Sequence, residues 1–199
     1  MNETARGLVA ASQPAPGDPA LASGGACLRG PLRPDLLRNE LLPEIFAATA
    51  AAHPLSVCMI SGEREISYAE VDAEATSLAR GLLRHGVRPG DVVGLWFQRG
   101  PNLLIAQLAI AKTGAAWLPF DGDAPVERIA VCLKDCSARA LVTSPYLVAK
   151  VANVSPCPIL TIDHLTDAND LSEVDARALG ATPGHAAYLI YTSGSTGVP

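Results

Sequence analysis

The sequence runs Ala187-Tyr188-Leu189-Ile190-Tyr191, then Thr192-Ser193-Gly194-Ser195-Thr196-Gly197-Val198-Pro199. The first group is aromatic and apolar and reads, with Ala186, as a buried strand over 186–191. The next six residues are all hydroxyl-bearing or glycine. Glycine lets backbone N–H groups approach an oxygen-rich ligand without a side-chain clash. Successive amides can form an anion-binding concavity, and Ser and Thr hydroxyls add donors. A strand that empties into such a loop suits a polyphosphate. The plainer alternative is a Ser/Gly turn between strands. A Walker loop is excluded by the letters, because Val198-Pro199 follows Gly197 where Lys-[Ser/Thr] would be needed.

Upstream of this stretch, strand and helix signals alternate. Asp35 is placed to cap a helix carrying Leu36, Leu37, Leu41, Ile45 and Phe46, which His53-Pro54 ends. Val57–Ile60 and Glu65–Tyr68 form a hairpin about Gly62-Glu63. Ser67 and Glu70 make an S-x-x-E capping box, opening a helix with Val71, Ala75, Leu78, Ala79, Leu82 and Leu83 at helical spacing and Gly86 as its stop. Val92–Phe97 is a continuous apolar run, as in strands buried on both faces of a parallel sheet. Pro101 starts the next helix, and strands follow at 115–120, 140–143 and 158–162, with helices at 125–136 and 145–151. Residues 163–184 read as a polar surface excursion. The alternation predicts an α/β fold, a layered sheet with flanking helices.

Composition narrows the function classes. Hydrophobic residues make up 49% of the 199, charged residues 18%, and the net charge is -5. That suits a packed core and disfavours a nucleic-acid backbone binder. Five cysteines, an odd number, with no secretory signal ahead of them, read as reduced thiols in a cytoplasmic protein. Cys132 and Cys136 share a helix face, but no second pair or nearby His completes a metal site, so they read as small apolar residues. The apolar run 103–120 contains Gln107 and Lys112 and is broken at Thr113-Gly114, so it reads as helix then strand, with no membrane span. Residues 1–34, rich in Ala, Gly, Pro and Ser, read as a flexible leader, or alternatively as a docking segment for an upstream partner. The folded domain is expected over 35–199.

Three blocks, in order, carry a family resemblance. Ile66-Ser67-Tyr68-Ala69-Glu70-Val71 resembles the first core motif of the adenylate-forming (AMP-binding) superfamily. Ala111-Lys112-Thr113-Gly114-Ala115-Ala116-Trp117-Leu118-Pro119-Phe120-Asp121 resembles the second. Tyr191–Pro199 resembles its phosphate-loop signature. Pro119-Phe120-Asp121 and Pro125-Val126-Glu127-Arg128-Ile129 lean toward nonribosomal peptide synthetase adenylation domains. The opening Leu28-Arg29-Gly30-Pro31 and Arg33-Pro34-Asp35-Leu36-Leu37 resemble the poly-lysine-synthetase-like branch.

The resemblance implies ATP-dependent amino-acid activation: aminoacyl-AMP formation with Mg²⁺, then transfer to a phosphopantetheine thiol on a carrier domain. It implies that Thr192, Ser193, Gly194, Ser195, Thr196 and Gly197 hold the β- and γ-phosphates. Ser67 and Glu70 are explained by helix initiation, and Lys112, Gly114 and Trp117 by placing a helix against the sheet. Asp121 reads as a cap. The family's motif continues with Lys-Gly after Pro199, and its pocket, adenine, metal and catalytic-lysine residues follow later. The chain is therefore expected to be an N-terminal fragment with no catalytic residue of its own, inactive and poorly folded alone. An acyl-CoA or aryl-acid ligase fragment, and a non-catalytic nucleotide- or partner-binding protein, are the alternatives.

Overall fold

The computed structural model describes residues 33–34, 38–166 and 174–192. The chain divides into two units, 1–39 and 40–199. In the first, Arg33, Pro34, Arg38 and Asn39 are exposed. The rest of the leader expected over 1–34, together with Asp35–Leu37, lies outside the described residues.

In the second unit, α1 (Leu42–Ala52) starts later than the Asp35 cap suggests. Pro43 is the reason. A helix running through from residue 35 would need the N–H that proline lacks, whereas the first turn has no use for it. Glu44 replaces the expected cap by accepting the Leu41 N–H at 2.7 Å.

The hairpin forms from β1 (Val57–Ser61) and β2 (Arg64–Ser67), antiparallel, with Gly62 at φ +63° in its turn. Its second strand ends at Ser67 because that residue already caps α2 (Tyr68–Arg84). The capping box is present in both directions. The Ser67 N–H donates to Glu70 Oε2 at 2.7 Å, and the Glu70 N–H donates to Ser67 Oγ at 3.3 Å. Past α2, Gly86 takes φ +81°, and the Val87 N–H returns to the Leu82 carbonyl, so the helix stops at the residue the sequence marks.

Four strands then build one parallel sheet: β3 (Val92–Trp96), β4 (Ala116–Phe120), β5 (Ala140–Thr143) and β6 (Ile159–Thr161), in the order β4-β3-β5-β6. The connecting helices are α3 (Pro101–Lys112), α4 (Val126–Asp135) and α5 (Pro145–Val151). Alternate strand residues feed two cores. Val93, Leu95, Ala140 and Val142 join α2 and α3, and Trp96, Leu118 and Leu141 join Ile129 and Leu133 of α4 and Leu147 of α5. The result is helix, sheet, helix. Burial on both faces explains why β3 and β5 lack polar alternation. Gly94 serves this packing, since a Cβ there would fall 2.5 Å from Leu133 Cδ2.

Two further expectations need correction. The excursion after β6 begins with a short helix, α6 (Ile162–Leu165), whose Leu165 is fully buried. One turn is too short to show periodicity. It forms because its backbone fits against α2 at Gly81, where a Cβ would lie 2.2 Å from the Leu165 carbonyl oxygen. The second of these concerns 186–191, which is not a strand but a segment joined to β4, among the described residues, by the isolated parallel bridge Trp117–Tyr188. The Trp117 N–H donates to the Ala187 carbonyl at 3.2 Å, and the Leu189 N–H donates to the Trp117 carbonyl at 3.0 Å. The next rung would need an N–H from Pro119, which has none.

Candidate functional site

Right-handed crossovers send α3 and α4 to opposite faces of the sheet, so the connections leaving β3 and β4 diverge. Crevices form at the carboxyl ends of strands where such a split occurs. A cleft of about 980 Å³ lies there. Gln98 and Arg99 line it from the end of β3, and Asp121, Asp123 and Arg128 from the end of β4 and the start of α4; Tyr191 closes one side. Two cations and two carboxylates thus face a common space.

Hydrogen bonds fix the strand ends around it. Trp96 Nε1–H donates to the Asp121 carbonyl at 3.0 Å, and Thr143 Oγ1–H donates to the Trp96 carbonyl at 2.6 Å. Gly122 lets the turn after β4 close on Gln98, whose Cδ would be 2.4 Å from any Cβ there. The Asp121 carbonyl also accepts the Ala124 N–H at 2.9 Å, so the backbone of Asp121 does the turn-forming work expected of its side chain.

The segment leading to the hydroxyl-glycine loop runs along this cleft. Tyr188 stacks on Trp117, with centroids 5.7 Å apart and planes at 27°. Tyr191 Oη–H donates to Asp135 Oδ2 at 2.5 Å, with the Cys132 carbonyl at 3.5 Å. Burial, and then the Asp135 hydrogen bond, raise the Tyr191 pKa, so the hydroxyl stays protonated and remains the donor. Thr192 follows, exposed. Ser193, Gly194, Ser195, Thr196 and Gly197 lie outside the described residues, so of the six candidate residues only Thr192 is described, one residue beyond the cleft-lining Tyr191.

The other motif residues have structural roles. Lys112 Nζ pairs with Asp72 Oδ1 of α2 at 2.9 Å. Gly114 ends α3 at φ +78°, and a Cβ on it would come 2.7 Å from Ala181 Cβ. Cys132 is buried in the α4 core, and burial raises its thiol pKa; the same cause lifts Cys136 to about 11. Sequence reasoning passed over Gln98, Arg99 and Asp123. The signal that finds them is position, directly after parallel strands, and not their chemistry.

Residues 46–199 match the family described as AMP-binding enzyme. The chain is 45% identical over 172 residues to Delta-poly-L-ornithine synthetase of Acinetobacter baumannii, covering 86% of this chain but 13% of that protein. Among solved structures it is similar to the nonribosomal peptide synthetase FmoA3 in its alpha-methyl-L-serine-AMP bound form. That match has a TM-score of 0.71 and 27% identity, over 79% of this chain and 17% of the other. It is also similar to the N-terminal subdomain of Klebsiella oxytoca NpsA, with a TM-score of 0.68 and 25% identity, over 82% of this chain and 41% of that one. The three-layer fold, the loop-bearing segment beside a switch-point cleft and these likenesses agree: the chain belongs to the AMP-binding enzyme family and carries an N-terminal part of a nonribosomal peptide synthetase adenylation domain.

Proposed function

We propose that this chain supplies the phosphate-gripping part of an enzyme that activates an amino acid as its adenylate, in the cytoplasm. A carboxylate oxygen of the amino acid attacks the α-phosphorus of ATP. The bond to the bridging oxygen breaks, and pyrophosphate leaves with the electron pair. Thr192–Gly197 hold the β- and γ-phosphates, orienting the leaving group and offsetting its charge. What supports this reading is that Tyr191 lines the cleft and that the hydroxyl-glycine run begins at the next residue, Thr192, which is exposed. The donor set fits a polyphosphate, being an exposed hydroxyl followed in sequence by glycines and further hydroxyls. Mg²⁺, arriving with the nucleotide, would offset the charge that builds on the leaving pyrophosphate. The acyl group then passes to the phosphopantetheine thiol of a carrier domain.

The test is amino-acid-dependent ATP–pyrophosphate exchange by the full-length protein that carries this chain, across a panel that begins with cationic amino acids and includes aryl and fatty acids. Exchange with an amino acid is expected. Thr192→Ala should lower it on the order of a hundredfold, as for loss of one charge-stabilising donor. The 199-residue polypeptide alone should be inactive. Exchange with aryl or fatty acids only would replace amino-acid activation by acid–thiol ligation, and an unchanged rate in Thr192→Ala would remove the loop from the chemistry.

A further inference from the structure

The segment before the loop is held in an unusual way. Ordinarily a strand carries its loop on a continuous ladder, but here the ladder stops at Leu189, because Pro119 has no N–H to offer the Leu189 carbonyl. Between that last rung and Thr192, the attachment is a side chain: Tyr191 Oη on Asp135 Oδ2. Asp135 is the final residue of α4. An acidic side chain at a helix carboxyl end is opposed by the helix dipole, so the dipole does not favour it. Its partner does: a hydroxyl 56 residues on in sequence, immediately ahead of the loop.

We propose that the Tyr191–Asp135 hydrogen bond is the positioning anchor of the phosphate loop, substituting for the sheet rung that Pro119 removes. Neither residue touches the nucleotide in this account. They act through the backbone of Tyr191 and Thr192, fixing where the loop begins. The inference rests on reading that loop as the phosphate site, and it predicts that ATP, not the amino acid, feels the anchor.

Two measurements on the full-length protein test it. The first is amide hydrogen exchange at residues 192–197 without substrate, in wild type, Tyr191→Phe, Asp135→Ala and Asp135→Asn. Tyr191→Phe keeps the ring that packs beside α4, and position 135 is exposed, so the fold should survive each change. Exchange should speed up about threefold to tenfold in Tyr191→Phe and Asp135→Ala, the scale of one lost hydrogen bond. Asp135→Asn, whose amide oxygen still accepts the phenol, should recover most of the protection. The double variant Tyr191→Phe/Asp135→Ala should be no worse than either single one. The second measurement is steady-state pyrophosphate exchange. KM for ATP should rise by a similar factor while KM for the amino acid stays fixed, a split that general destabilisation would not produce. Unchanged amide exchange in Tyr191→Phe, or equal effects on both KM values, overturns the anchor. If wild type activates no acid at all, the phosphate reading falls on its own, and amide exchange still decides whether Tyr191 and Asp135 hold the segment.

Discussion

Lys112, the last residue of α3, places its ammonium 2.9 Å from Asp72 Oδ1 on α2, with 7% of the lysine side chain and 32% of the aspartate side chain exposed. Among the described residues no aligned hydrogen bond reaches that oxygen, so the contact is a charge pair. It joins two helices that cover one face of the sheet. Breaking a buried pair from one side strands the other charge. Asp72→Ala should therefore destabilise by about 2–3 kcal/mol, discounted for the half-open aspartate, whereas Lys112→Met with Asp72→Leu should restore most of that loss. Denaturant midpoints of the two variants check this, and an Asp72→Ala protein of wild-type stability would show that the pair contributes nothing.

Two helix ends make a matched comparison. Gly114 ends α3 at φ +78°, and Ser137 follows α4 at φ +51°, where a side chain is disfavoured. Gly114→Ala should cost about 1–3 kcal/mol, combining the left-handed backbone with a clash against Ala181 and Pro89. Ser137→Gly should stabilise by roughly 0.5–1 kcal/mol. Opposite shifts in melting temperature are the expected result; shifts of the same sign would mean backbone conformation is not what governs these caps.

The Ser67–Glu70 box gives a pH dependence. The Glu70 carboxylate is held below its ordinary 4.5, first by the Ser67 backbone N–H and then by the Ser67 hydroxyl. A depressed carboxylate stabilises the fold fully above its unfolded value and loses that contribution as pH falls through the folded value. Amide exchange at the start of α2 should thus be flat from pH 7 to 5 and speed up below about 4.5, beyond the intrinsic trend. In Glu70→Gln that step should vanish. Ser67→Ala should cost about 1 kcal/mol at neutral pH.

Cys136 should resist alkylation. With its thiol pushed up to about 11 by burial, the thiolate is scarce at pH 8. Labelling with iodoacetamide should be slow there and accelerate tenfold per pH unit toward pH 10. Fast labelling at pH 8 would mean the site opens.

What the letters reveal depends on how local the cause is. The hairpin, the α2 capping box and the Gly86 stop are settled within a few residues, and each is where the sequence puts it. The doubly buried strands β3 and β5 announce themselves by lacking polar alternation. At the start of α1, Asp35 has the better capping side chain, yet the helix begins after Leu41, and Pro43 settles the point from inside the helix. The loss of pairing after Leu189 depends on which way Pro119 would have aimed its N–H, and that is fixed only once β4 has docked on β3. Likewise the loop's composition is plain in the sequence, whereas Asp135 is an ordinary surface carboxylate until Tyr191 arrives.

Gly81 has a consequence for the order of assembly. The α2 helix can form early from its own residues, but the notch at Gly81 is filled by the Leu165 backbone, more than eighty residues later, and Arg84 also reaches the Leu165 carbonyl at 3.1 Å. On a ribosome that interval amounts to several seconds of synthesis. Until then one flank of α2 stays uncovered, and a nascent chain stalled before α6 would present an apolar groove to chaperones. A single missing methyl group at position 81 thus sets the moment at which this half of the molecule seals.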